Sequence, residues 1–370
     1  MNTLSETEKT ELEAQRTSGD GKMYFPPVYG TQTVMNLRTW MYRKDIFAAN
    51  NLQVPTTESE LYMVSKKLKQ LYPESYPLCF RTGLEQISVM GPMWKDNFAW
   101  SLYYDFEEET WHWGAQDTET MHHIIGFFDK MQTDKLVPPD FLTINTKSWE
   151  ELVSSNRGFI MPEYLARLDF FNVIGRKDNP DYTWAVMAPP KGDNTNGQSK
   201  IAKLNMDPTG YVVCNTGKQD RINTALWFVD WMYSDKATDL LSWGKEGVSY
   251  TVDASGKRTF ILQGEGDNVQ NRYGIGTYGV YQRTTSFEAG YSEEQREQGK
   301  LAYTYSEDHV NPYLWLPLNT DEMKVYNDVY TALTSYTEEQ LSKFILKQLP
   351  ISEWDSFQKG LVEMCIRDRH

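Results

Sequence analysis

Apolar residues recur along this chain at two spacings, and each spacing predicts a different kind of element. Helical spacing is plain where Leu61, Val64, Leu68 and Leu71 follow the capping-box pattern Thr57-Glu58-Ser59-Glu60, with Pro73 closing the run. A second stripe, Met121, Ile124, Ile125, Phe128 and Met131, begins after Thr118 as its cap and ends before Pro138-Pro139. A third, opened by Asp220, carries the stripe Ile222, Ala225, Leu226, Val229 and Met232. A short helix through Ala237, Leu240 and Leu241 then runs into Trp243. Near the C-terminus three helices are expected in succession. Their stripes are Met323 to Leu333 after Thr320 or Asp321, Leu341 to Ile345 after a Thr337/Gln340 capping box, and Trp354, Phe357 and Leu361 after Ser352.

Between these lie short β-branched or aromatic runs bounded by turn residues, at 34–41, 98–104, 110–113, 158–161, 183–187 and 211–214. Residues 98–113 read as a hairpin with an acidic tip at Glu107, Glu108 and Glu109. The polar stretch 191–200 reads as a surface loop, and the glycine-rich, then charged stretch 264–299 as irregular structure. Strands alternating with helices predict an α/β or mixed protein, and no internal repeat is visible.

Composition narrows the classes. A length of 370 residues suggests two or three globular units at about 150 residues each. The net charge of −14, with no basic stripe, argues against nucleic acid as a partner. No apolar run reaches the roughly 18 residues of a membrane span, and residues 1–20 show no basic-then-apolar export signal. Twelve Trp and 23 Tyr supply many flat apolar faces with polar edges, suited to cores, interfaces and carbohydrate surfaces alike. Cys79, Cys214 and Cys365 have no paired spacing, so neither a zinc site nor a disulfide framework is expected.

Catalytic patterns fare poorly. Gly274-Ile275-Gly276-Thr277-Tyr278-Gly279 matches a dinucleotide-binding string but lacks the apolar strand before it and the helix after it. His122 and His123 are adjacent, which splays them apart on a helix, and no metal or other cofactor is expected. Paired carboxylates would serve a glycoside hydrolase, yet nothing local marks Glu108, Glu163 or Glu246 as a proton donor. Trp243-Gly244-Lys245-Glu246-Gly247-Val248-Ser249-Tyr250 is the densest candidate for binding. It places two rings, a carboxylate and two glycines directly after a helix. The competing reading is a helix C-cap with Trp243 in the core.

Four stretches together resemble the family 1 extracellular solute-binding proteins of ABC importers, in particular the large oligosaccharide-type lipoproteins. They are Asp20-Gly21-Lys22-Met23-Tyr24-Phe25-Pro26-Pro27 with Arg43-Lys44-Asp45 and Pro55 to Leu61; Trp184 to Gly192, ending Pro189-Pro190-Lys191-Gly192; the segment from Trp243 to Tyr250; and Lys343-Phe344-Ile345 with Glu353-Trp354-Asp355. The resemblance implies a type II periplasmic-binding-protein-like fold of two α/β lobes, ligand capture in the cleft by hinge closure, and no covalent chemistry. It implies a carbohydrate ligand, membrane permease subunits as partners, and an extracellular, lipid-anchored location.

Against that pattern the chain reads as an incomplete lobe one, 1–28 with 206–311, and a lobe two of 29–205 with 312–363. Residues 364–370 match the translated end of a sequencing-library adapter and are expected to be a non-native tail. An incomplete lobe would leave apolar surface uncovered. Expected ligand contacts are Trp243, Glu246 and Tyr250 on the first lobe, and Arg81, Glu163, Tyr164, Trp94 and Trp40 on the second. A glycoside hydrolase and a peptide- or lipoprotein-binding receptor are the alternatives.

Overall fold

Capping side chains set where several helices of the computed structural model begin, and apolar stripes decide which faces are buried. The structure describes residues 9–10, 12–13, 16–24, 28–29, 38–202, 206–207, 210–262, 267–276, 280–307 and 318–367. Residues 34–37 of the first expected strand and 277–279 of the glycine string lie outside them.

In chain order the strands are β1 (Val28–Tyr29), β2 (Arg38–Arg43), β3 (Leu102–Asp105), β4 (Thr110–Trp113), β5 (Ile160–Tyr164), β6 (Trp184–Met187), β7 (Ile201–Ala202), β8 (Met206–Asp207), β9 (Tyr250–Val252), β10 (Arg258–Phe260) and β11 (Ser306–Glu307). The helices are α1 (Lys44–Ala49), α2 (Glu58–Leu71), α3 (Leu84–Met90), α4 (Thr118–Thr133), α5 (Thr146–Ser154), α6 (Arg167–Gly175), α7 (Gln219–Met232), α8 (Asp235–Trp243), α9 (Val269–Tyr273), α10 (Thr284–Ala289), α11 (Glu293–Thr304), α12 (Thr320–Ile345) and α13 (Trp354–Arg367). No helix among the described residues is long and apolar enough to cross a membrane.

The chain divides into two compact units. The first takes Met1–Asn36, Leu204–Lys300 and Trp315–Thr320; the second takes Leu37–Lys203, Leu301–Leu314 and Asp321–His370.

The second unit is built on a three-stranded sheet in the order β5-β2-β6, with β2 antiparallel to both neighbours. Leu78 adds an isolated parallel bridge to Ile160, so the 78–80 segment continues the sheet past β5. Packed into the same core are the stripe residues Met121, Ile124, Phe128 and Met131 of α4, together with Phe80, Phe141, Phe344 and Trp354. The Phe128 and Phe141 rings stack at 5.4 Å. Such burial is the main favourable term holding the unit together, at about 25 cal/mol per Å² of apolar surface removed from water.

Local chemistry explains where helices start. Thr57 caps α2 by accepting the Glu60 N–H, while the Glu60 carboxylate reaches back to the Thr56 N–H at 2.8 Å, one residue before the partner a capping box uses. For α4 the cap is Asp117, not the expected Thr118, because its carboxylate accepts both the Thr120 N–H and the Thr120 hydroxyl at 3.0 Å. The two helices expected at 320–345 are one continuous helix. Thr337 lies buried in its middle, where its hydroxyl donates to the Leu333 carbonyl at 2.7 Å and accepts from Trp113 Nε1 at 3.1 Å. With its oxygen engaged that way it cannot act as a cap.

In the first unit three expectations change. Residues 211–214 form no strand; they are coil with Tyr211 and Val212 exposed, and β-branched residues hold a strand only against a packing partner. The 264–299 stretch holds three helices, α9, α10 and most of α11, rather than irregular structure. Asn268 starts α9 by accepting the Asn271 N–H at 2.7 Å, and left-handed Gly274 ends it. The stripe expected on α7 is only partly covered: Met232 is buried and Ile222, Ala225 and Val229 are half-buried, but Leu226 is 52% exposed, beside Trp227 and Phe228 at 66% and 51%. The principal apolar cluster described in this unit is small: Trp243, Tyr250, Phe260, Val269 and Ile275 around the antiparallel β9–β10 hairpin.

Candidate functional site

One end of the second unit's sheet gathers polar groups that the interior does not fully satisfy. Strand register sets Arg38 opposite Tyr164 and Thr39 opposite Glu163. The chain leaving Phe80 reaches Arg81, then passes through Thr82 (φ 68°) and Gly83 (φ 54°) into α3. Two successive left-handed residues, the first with a β-branched side chain, mark a turn held against its own preference by about 1–3 kcal/mol. Glycine is needed at 83 for a second reason: a Cβ there would fall 2.4 Å from the Leu142 carbonyl oxygen.

Arg81 grips Glu163 with both prongs, Nε to Oε2 at 2.6 Å and Nη2 to Oε1 at 3.1 Å. Glu163 is 2% exposed, and its Oε1 also accepts the Tyr164 N–H at 2.9 Å. The indole of buried Trp149 backs the Arg81 guanidinium at 5.3 Å and that of Arg167 at 5.7 Å, while Arg167 pairs with Glu150 at 2.7 Å. Arg38 lies over the Tyr164 ring at 4.5 Å and pairs with Glu85 at 2.7 Å. Burial works against the Arg38 charge, but Tyr164, Glu85 and Glu163 outweigh it and raise its pKa further.

Around this pair several buried polar atoms have no hydrogen-bond partner: Thr39 Oγ1, Gln86 Nε2, Arg38 Nη1 and Trp149 Nε1. Each unmet group costs about 1–3 kcal/mol, and proteins rarely leave several in one place without a use for them. A hydroxyl-rich ligand would satisfy them, since each hydroxyl both donates and accepts.

Of the residues singled out in the sequence, Arg81, Glu163 and Tyr164 meet here. Trp40 lies in the centre of the sheet, buried opposite Pro162 and Met187. Trp94 is also buried and directs Nε1 at the Glu58 carboxylate at 3.0 Å. In the first unit Trp243 is 5% exposed, its ring stacked on Phe260 at 4.9 Å and near Tyr250 at 5.8 Å. Arg258 covers both rings, at 5.5 and 5.0 Å, and Glu246 is exposed beside them. Sequence reasoning missed Arg38, Thr39, Gln86 and Trp149, which register and tertiary packing alone bring to the cluster.

No family model matches the sequence, and no curated protein matches it. Solved structures do. An alginate-binding protein, AlgQ2, in its form without calcium ion, superposes with a TM-score of 0.78 at 19% identity, covering 98% of this chain and 75% of its own. FusA, an ABC-transporter substrate-binding protein of S. pneumoniae in complex with kestose, gives 0.73 at 16% identity, covering 98% and 77%. A solute-binding protein from Bifidobacterium longum infantis, described as HMO-binding and ABC-transporter associated, gives 0.69 at 15%, covering 98% and 78%. At these identities the likeness establishes the fold: this chain has the α/β fold of the solute-binding proteins.

Proposed function

We propose that this chain is the substrate-binding component of an ABC importer, capturing a carbohydrate, most suitably an oligosaccharide, and presenting it to membrane permease subunits. The observation that carries the reading is agreement between fold and chemistry. The fold is shared over 98% of the chain with a protein solved in complex with kestose. The Arg81–Glu163 cluster, with its unmet donors and acceptors, suits hydroxyl groups. In the same reading the protein works outside the cell, anchored as a lipoprotein, and Trp243, Glu246 and Tyr250 of the first unit contribute to ligand binding.

Binding suits the cluster better than hydrolysis does. Glu163 receives every hydrogen bond described for it, two from Arg81 and one from the Tyr164 N–H, so it serves as an anchored acceptor. Beside it, Glu150 and Glu85 are each paired with an arginine.

Calorimetric titration with a panel of neutral and acidic oligosaccharides tests the proposal. Binding of at least one member is expected, weakened about ten- to a hundredfold by Arg81→Met or Glu163→Gln. Release of reducing sugar from the bound oligosaccharide would overturn it in favour of an enzyme, and tight binding of peptides alone in favour of a peptide receptor.

A further inference from the structure

We infer, resting on the carbohydrate-binding function proposed above, that the Arg81–Glu163 site selects uncharged sugars over acidic ones and that Phe170 supplies one of its contact faces. The device is charge matching. Arg38, Arg81 and Arg167 pair with Glu85, Glu163 and Glu150 at 2.7, 2.6 and 2.7 Å, so each positive charge meets a negative one. The Glu163 charge acts on Arg38 as well as on Arg81, and Arg81 and Arg167 both lie against the Trp149 ring, which makes the three pairs one patch.

A ligand carboxylate entering such a patch gives up its water and finds each guanidinium already held by a fixed carboxylate, close enough to repel it. A hydroxyl meets no such conflict. It can accept from a guanidinium N–H that the pairing leaves over and donate to a carboxylate lone pair. Arg81 Nη1 is such a donor. Nε and Nη2 hold Glu163, while the partner described for Nη1 is the exposed Thr146 hydroxyl at 3.5 Å, the outer limit of a hydrogen bond. The Arg81, Arg167 and Glu150 side chains are 17%, 25% and 28% exposed, so a ligand can reach them.

An apolar face adjoins these groups. On α6, Leu168 and Phe171 are buried, whereas Phe170 and Ile174, one turn apart, are 39% and 40% exposed. The Arg167 guanidinium lies 5.1 Å from the Phe170 ring and 5.7 Å from that of Trp149, and Phe171 meets Phe170 edge-on at 5.1 Å. Phe170 is thus a braced ring whose remaining surface lies beside a paired arginine. A sugar ring matches this arrangement, with C–H faces that lie on an aromatic ring and hydroxyls around its rim.

Calorimetry on the 370-residue chain with neutral and uronic oligosaccharides of matched length tests the inference. The tightest ligand is expected to be neutral, with a dissociation constant that changes less than about twofold between about 20 and about 500 mM NaCl. Phe170→Ala should weaken it about three- to tenfold at an unchanged unfolding midpoint, and Phe170→Tyr should keep the affinity, as a stacking ring requires. Glu150→Gln should leave Arg167 unpaired and strengthen uronic ligands about tenfold at low salt. Tightest binding of a uronic member, weakened by salt, would overturn the charge selection while leaving carbohydrate binding intact. Unchanged affinity in Phe170→Ala would overturn the role of Phe170. Binding of no member would remove the function on which the inference rests, and the inference with it.

Discussion

Helices α4 and α7 carry similar apolar stripes and meet opposite fates. In α4, Met121, Ile124, Phe128 and Met131 are buried among aromatic rings. In α7 the stripe is buried only at Met232 and half-buried at Ile222, Ala225 and Val229, while Leu226 and the neighbouring Trp227 and Phe228 are exposed. Helical periodicity therefore tells which face of a helix is apolar but not whether anything lies against it. The same contrast holds for the two units. The second encloses a large aromatic core. In the first, the principal described cluster has five buried members.

The largest expected effect is at the centre of the second unit. Phe128→Ala should cost about 3–5 kcal/mol in chemical denaturation, whereas Leu226→Ala should change stability by less than about 0.5 kcal/mol. Equal costs would erase the contrast between the two helices. Next comes Trp243→Ala, which removes the largest ring of the small cluster. About 3 kcal/mol should be lost, and it should be lost from the first unit while amide exchange in the second stays unchanged. Loss of protection in both units together would mean that they unfold as one.

A smaller effect depends on pH. His123 Nε2 lies 2.7 Å from the buried Glu58 carboxylate, and that bond raises the histidine pKa above its ordinary value of about 6.5, against the opposing effect of burial. A group whose pKa is raised on folding stabilises fully below its unfolded value and stops doing so as pH rises through its folded one. Thermal midpoints of the second unit should therefore fall as pH climbs from about 6 through the elevated range. His123→Gln should flatten that segment of the profile; a wild-type midpoint that rises there would contradict the pairing. Smallest of all in stability is Trp227→Ser, within about 0.5 kcal/mol. Its expected signature is reduced self-association in sedimentation, because it removes an exposed ring from an apolar patch.

Much of the fold could be read from the sequence wherever local chemistry is decisive. The stripe and cap of α2, the hairpin of β3 and β4 and the stripe of α4 all follow from spacing and from side chains within a few residues. Failures came where a distant partner decides. Thr337 looks like a cap until Trp113 occupies its oxygen, and the α7 stripe looks buried until one asks against what. The candidate site divides the same way. Arg81 and Glu163 each sit at the end of an apolar run and could be singled out separately. Their mutual grip, and the unmet atoms of Thr39 and Gln86, arise from a register joining segments 82 residues apart, which no local pattern encodes.

The bond between Trp113 and Thr337 spans 224 residues, and it has company: Trp354 donates to Thr118 across 236 and Gln358 to Ala115 across 243. On the ribosome, at about 5–20 residues per second, the hairpin and the start of α4 emerge many seconds before these partners exist. Through that interval the second unit can pair its strands but cannot close its core, and the rings that later pack against Phe344 and Trp354 stay open to whatever they meet. A nascent chain stalled before residue 330 should therefore bind a holdase chaperone, and release from it should coincide with synthesis of the final two helices.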